Sequence, residues 1–444
     1  MNGCENQCSL TRVAPSTGGR AKTKFLTVLR AGLGTILMAA SVSVAGADPY
    51  VGWAVGNSIN GYGTVMRTTD GGTNWTRQGA GQITNVNLYG VSAVDAATAW
   101  TVGDLDSGYA SIYRTTDGGT NWVRKGSLTN LPQTELTALN KVFAASAGEA
   151  WAVGVGTILH TSDGGESWTN QIPAGYESTA FQGVHSPDGV NVWATGGNNN
   201  GFATILKSGD GGSTWLRQTN GDVCTAQTLL GVSAADASSV WTVGGNPGAG
   251  YVVLHSVDGG ASWTNLYTLG FGDANEVSAV NASAVWVACD SQILRSTDGG
   301  QSWDSPSSPP WTMGISAVSS EEAWAVVNGS MSGSGSILHT SDGGATWTTQ
   351  LSGATLAPLW TISIANPPLR PRLSIFPLSA TNGVLVIQLT APNNHVYELQ
   401  AVSDCLSANW QPIGVATNLT GSVLYTNGQA DGGNQRFYRA RVVR

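Results

Sequence analysis

Apolar residues in this chain fall in short runs that alternate with polar ones, and Gly, Asn, Asp or Ser bound each run. No long stretch beyond the N-terminus keeps the i, i+3, i+4 spacing of an amphipathic helix. The segment Tyr89–Val94 (YGVSAV), then WTVG at 100–103 and SIYR at 111–114, predicts three strands in quick succession, with a fourth beginning at Trp122. The same succession returns seven times. Its marker is Asp-Gly-Gly-x-x-Trp, with Asp at 70, 117, 163, 210, 258, 298 and 342, spaced 40 to 48 residues apart. That period belongs to propeller blades and solenoid units.

The nine residues RTTDGGTNW stand unchanged at 67–75 and 114–122. A second tryptophan precedes each marker, at 53, 100, 151, 193, 241, 286 and 324, so 14 of the 17 tryptophans are periodic. The first unit lacks its first strand, because Tyr50-Val-Gly-Trp53 is already a second strand. The missing piece stands at the other end, where LWTISIA at 359–365 follows the last marker with no second strand after it. Placing 359–365 in the first unit closes a ring and removes free sheet edges. The expected fold is therefore all-β: a seven-bladed β-propeller closed by a C-terminal strand, followed by a small β-sandwich.

The marker has a local physical logic. Two glycines supply positive φ for a tight turn, the carboxylate can accept backbone N–H bonds of its own turn, and a Ser or Thr two residues upstream can join. The residue before the Asp is free to vary (Gly209, Val257), as a turn-and-packing role requires. Asp70, Asp117, Asp163, Asp210, Asp258, Asp298 and Asp342 are accordingly expected to be structural, since a catalytic acid needs one tuned environment rather than seven alike.

These residues resemble the Asp-box, or bacterial neuraminidase repeat, of sialidases, xyloglucanases, the sortilin ectodomain and the photosystem II stability/assembly factor family. The match covers residues 50–365. The whole-chain likeness is to the photosystem II assembly-factor-like proteins, single seven-bladed rings behind a leader, and it implies protein binding without catalysis. Xyloglucanase-like members usually need a second propeller to form their cleft, and sialidases need an arginine triad. Outside the strand that precedes each marker, the ring holds only Arg77, Arg124 and Arg217.

Composition and charge refine the organisation. Residues 1–47 carry Arg20, Lys22, Lys24 and Arg30 ahead of an apolar run, 31–44, that ends in Ala45-Gly46-Ala47, the pattern of a secretory signal. Without its five Lys/Arg and one acid, the remaining chain holds 15 basic and 27 acidic side chains. Residues 48–369 hold 9 against 24, which disfavours a phosphate backbone as partner. Cys224, Cys289 and Cys405 allow one disulfide at most. A Pro-rich linker is expected at 367–372, between a ring at 48–366 and a module at 373–444. In that module YELQ (397–400) and RFYR (436–439) flank a Trp turn at 407–410, which resembles C-terminal β-sandwich modules of secreted planctomycete and verrucomicrobial proteins.

Candidate chemistry lies opposite the Asp-Gly-Gly turns. Long Gly/Asn/Ser-rich loops are expected at 57–63, 104–110, 197–203, 245–250 and 328–335, and Tyr62, Tyr109, Phe202 and Tyr251 stand seven or eight residues before the markers of four of these units. Acids nearby are Asp104, Asp106, Asp273, Glu276 and Asp290. Such a face suits a protein or glycan ligand. A basic residue three before each Asp (Arg67, Arg114, His160, Lys207, His255, Arg295, His339) is either a docking belt or cover for aromatic surface. The expectation is a secreted, monomeric, non-catalytic binding or assembly-type protein with no cofactor, no metal and no nucleic-acid partner. The alternatives are an extracellular carbohydrate-active hydrolase, which needs two carboxylates facing one cleft, and a cell-surface adhesive protein.

Overall fold

A computed structural model describes residues 50–125, 137–223, 228–246, 250–269, 272–305, 311–329, 333–353 and 356–365, together with strands near the two ends of the chain. The chain divides into two compact units, Gly46–Pro367 and a second made of Met1–Ala45 with Pro368–Arg444. Most of the expected secretory segment, nearly all of the linker, Cys224 and Cys405 lie outside the described residues. Among those residues every regular element is a strand, and no helix is long and apolar enough to cross a membrane.

The first unit is a seven-bladed propeller. In blade two, Leu88–Ala93, Ala99–Asp106, Tyr109–Thr115 and Val123–Arg124 form an antiparallel sheet from the axis outward. Blade one is made from both ends of the ring: Leu359–Ala365 is innermost, then Val51–Ile59, Tyr62–Thr68 and Thr76–Gln78. Leu359–Ala365 packs against both Leu88–Ala93 and Thr312–Ala317, which closes the circle. Blade six is the thinnest, since its outer strand shrinks to one bridge between Arg295 and Asp304.

Seven hydrophobic clusters fill the ring, and each sits at a seam between blades. Trp100 of blade two shares a cluster with Trp168 of blade three. The same pairing joins Trp53 with Trp122, Trp151 with Trp215, Trp193 with Trp263, Trp241 with Trp303, Trp286 with Trp347, and Trp324 with Trp75. Trp168 meets Trp100 edge-on, ring centroids 5.8 Å apart. The turn tryptophan of each blade therefore packs on the blade before it in the ring.

The basic belt is also structural. Each member is the cross-strand partner of a buried tryptophan. Arg67, Arg114, Lys207 and Arg295 lie 5.2–5.5 Å from the indole centroids of Trp53, Trp100, Trp193 and Trp286. His160, His255 and His339 stack on Trp151, Trp241 and Trp324. Each cation–π contact contributes roughly 0.5–2 kcal/mol.

The Asp-Gly-Gly turn is one repeated hydrogen-bond net. Asp70 Oδ1 accepts the Thr68 hydroxyl (2.9 Å) and the Asn74 N–H (2.8 Å), and Oδ2 accepts the Asn74 side-chain amide (2.7 Å). Thr68 Oγ1 in turn accepts the Gly72 N–H at 2.8 Å. The turn glycines Gly71 and Gly72 have φ of 71° and 92°, which an L side chain rarely adopts. The residue four after each Asp is always Asn, Ser or Thr, because its side chain must donate to Oδ2. Val257 beside the net is 72% exposed, so its identity is free.

A second repeated bond stitches the blades at the axis. Ser92 Oγ of blade two accepts the N–H of Ala144 in blade three at 3.0 Å. Ser233, Ser278, Ser316 and Ser363 do the same for Ala279, Ala317, Ile364 and Ala93, and His185 Nδ1 does it for Ala234. Phe143 occupies the remaining position and packs its ring on His185, centroids 4.4 Å apart. The second unit contains two antiparallel sheets. One runs Arg372–Pro377, Leu385–Thr390, Ser422–Asn427; the other runs Leu26–Thr27, Phe437–Val442, His395–Val402, Gln411–Asn418.

Truncation of Trp168 to Ala empties a seam and is expected to cost about 3–5 kcal/mol in denaturant unfolding. All seven turn carboxyls titrate below the ordinary 3.8. The main cause is hydrogen bonding from the residue four on, which holds Asp258, Asp298 and Asp342 at about 2. A depressed carboxyl contributes stability above its unfolded pKa and loses it as pH falls through the folded one. The melting temperature should therefore fall steeply between about pH 4 and pH 2. A melting temperature unchanged across that window contradicts this role of the turns.

Candidate functional site

The face opposite the Asp-Gly-Gly turns carries hairpin tips where the sequence predicts long loops. In blades one, two and four the second and third strands continue their pairing to two-residue turns, Asn60-Gly61, Ser107-Gly108 and Asn200-Gly201. Both residues of each turn have positive φ, the type I′ geometry that matches strand twist. Tyr62, Tyr109 and Phe202 are the first residues after these turns. Tyr62 is 39% and Phe202 41% exposed, while Tyr109 is half-buried.

The three ring arginines outside the belt hold these tips. Arg77 Nη2 donates to the Tyr62 carbonyl (3.1 Å), and Arg217 Nη2 to that of Asn199 (2.5 Å). Arg124 reaches the Asp106 carbonyl (3.0 Å) and pairs with its carboxylate (2.7 Å). Hairpin, aromatic and arginine therefore occur together as one unit in those blades.

The candidate acids have varied partners. Asp104 accepts the Tyr89 hydroxyl and the Asn87 amide, both at 2.8 Å. Asp290 accepts the Asn275 amide (2.9 Å) and the Asp273 N–H (3.0 Å). Burial first, and the Asp290 charge second, push the Asp273 carboxyl above its ordinary range. Tyr251 is not on the surface: it is 1% exposed, bonded through its hydroxyl to Gln292 and stacked with Tyr267. Glu276 lies at the axis, not among the loops. Among the described residues no three His, Cys, Asp or Glu gather as metal ligands.

Sequence reasoning missed the half-buried pair Tyr89 and Trp360 at the axial end of this face. Their rings meet at 6.3 Å, 63° apart. Trp360 Nε1 donates to Asn57 Oδ1 (2.6 Å), and burial plus the bond to Asp104 push the Tyr89 phenol up to about 12. The available signal was that Trp360 is one of the few tryptophans outside the periodic set. Also missed was a cavity of about 360 Å³ inside the ring, lined by Ser92, Ser233, Ser278, Ser363, Lys141, His185 and Glu276. Its lining runs from the Lys141–Glu276 layer to Val94, Ala145 and Ile364, the Asp-Gly-Gly ends of the innermost strands.

Replacing Arg217 by Ala removes its bonds to the Asn199 carbonyl and, at 3.4 Å, to the Phe202 carbonyl. Amide exchange at Asn200 and Gly201 should speed up about tenfold or more while the seams stay protected. Equal protection in both proteins would show that the arginine does not brace the tip.

No protein family and no curated protein is matched by this chain. Solved structures resemble its fold. A protein from Lactobacillus plantarum matches at 9% identity and a TM-score of 0.50, over 72% of this chain and 99% of that one. YCF48 bound to D1 peptide matches at 20% identity and 0.46, over 63% and 85%. The GH74 xyloglucanase from Xanthomonas campestris matches at 13% and 0.49, over 78% and 60%. At such identities the likeness shows the fold alone, a seven-bladed β-propeller.

Proposed function

We propose that this chain is a secreted, non-catalytic binding protein of the assembly type, built on Asp-box repeats, that presents its hairpin face to a protein or glycan. One observation carries the reading. On that face Asp104, Asp106 and Asp290 are engaged by neighbouring side chains or backbone, whereas Tyr62 and Phe202 keep large exposed areas on arginine-braced tips. Rigid aromatic side chains give contact area at low entropic cost. Acids committed to bracing lack the freedom that proton transfer to a substrate requires. Protein binding is also what the likeness to photosystem II assembly-factor-like proteins implies.

A hydrolase remains the second reading, and Asp273 is the observation that favours it. Its raised carboxyl beside Asp290 has the character of a general acid next to a second carboxylate. Asp290, however, already accepts two hydrogen bonds.

The test uses the mature protein and whatever co-purifies with it from the cells that make it. Tyr62→Ala combined with Phe202→Ala should weaken retention of that partner about thirtyfold or more, the range of a hot-spot loss. Asp70→Ala should lower the melting temperature and leave retention intact at low temperature. Undiminished retention by the double variant would move the site elsewhere. A glycan hydrolysis that Asp273→Asn abolishes would replace the binding reading with the hydrolase.

A further inference from the structure

One position on each innermost strand forms a layer around the axis. Gly90, Gly183, Gly231 and Gly314 hold four of the seven places, because neighbouring backbones approach closely there. A Cβ on Gly90 would stand 2.9 Å from Lys141 Cα, and one on Gly314 2.9 Å from Thr361 Cα. The three departures are Lys141, Glu276 and Thr361. They meet. Lys141 Nζ pairs with Glu276 across the axis, from blade three to blade six, and lies 3.4 Å from Thr361 Oγ1. The two charged side chains are only 18% and 11% exposed. Desolvation offsets most of the attraction in such a pair, so stability alone does not account for placing it there.

This pair floors the axial cavity. His185 lines the wall, and its Nδ1 accepts the Ala234 N–H at 3.2 Å, which leaves the ring proton on Nε2 as a donor. Burial, with the Lys141 charge second, lowers its pKa to about 4, so the ring is neutral at pH 7. Ser92, Ser233, Ser278 and Ser363 on its wall accept backbone N–H groups through Oγ and keep rotatable O–H donors. About 360 Å³ is at the small end of ligand pockets, which run to roughly 1,000 Å³.

We infer that this cavity binds a small zwitterion of the free amino-acid class, its carboxylate towards Lys141 and His185 and its ammonium towards Glu276. The floor carries one charge of each sign and no net charge. A lone anion gains from Lys141 and loses to Glu276, and a lone cation does the reverse. A dipolar solute lying antiparallel to the pair gains at both ends through charge-assisted hydrogen bonds. The site is separate from the hairpin face.

Calorimetric titration of the full chain with glycine, L-alanine and L-serine tests this, with acetate and methylammonium as single-charge controls at matched ionic strength. At least one amino acid should bind, and both controls should bind about tenfold more weakly or worse. The paired replacement Lys141→Met with Glu276→Gln keeps the volume and removes both charges. It should lose about tenfold or more of the affinity while still melting cooperatively. His185 imidazole resonances in the unaltered protein give a reading that needs no variant, and they should shift on adding the amino acid and not on adding acetate. Absence of binding by all three amino acids, acetate binding as tight as theirs, or full affinity in the doubly replaced protein overturns the inference.

Discussion

The seam between neighbouring blades is the interaction on which the rest depends. A four-stranded sheet of small and β-branched residues has two faces to cover and cannot cover either alone. Each seam is filled by the second-strand tryptophan of one blade and the turn tryptophan of the next, so no blade owns a complete core. Burying a residue of this size contributes several kcal/mol, and cutting it back costs about 3–5 kcal/mol. A ring satisfies every seam with the same contact. An open array would leave two faces exposed, which is why 359–365 must return to blade one.

The smaller repeated features serve the seams. The Asp-Gly-Gly net fixes where the outer strand begins, and that point sets the turn tryptophan over its neighbour. The cross-strand arginines, lysine and histidines cover the outer side of each buried indole. At the axis the serine stitches hold adjacent innermost strands by backbone bonds, each contributing on the order of 1 kcal/mol. Where the stitch fails, at Phe143, an aromatic contact with His185 takes over. The repeat thus explains nearly all of the periodic residues and leaves the exceptions to be read as function.

Those exceptions fall in two places. At the hairpin face they are the aromatic tips and the Tyr89–Trp360 pair. Inside the ring they are Lys141, His185 and Glu276. Both sets interrupt an otherwise uniform layer at some energetic cost, as polar or exposed aromatic groups do when packing alone would choose others. The two proposed sites face opposite ends of the innermost strands, so ligands at them would not compete.

Much of the architecture was legible in the sequence because its determinants are local. A turn that bonds within four residues, strands that alternate within six, and a period of 40 to 48 residues all lie within reach of neighbours along the chain. The number of blades and the returning strand follow from counting them. The composition of the hairpin tips is legible too, but Asn-Gly and Ser-Gly also mark irregular segments, so composition alone does not show their regular pairing. Only the tertiary structure could decide that Tyr251 is buried, that turn tryptophans cross the seam, and that Lys141 meets Glu276, 135 residues away. Those contacts exist because the ring closes, and closure brings together side chains that no local pattern relates.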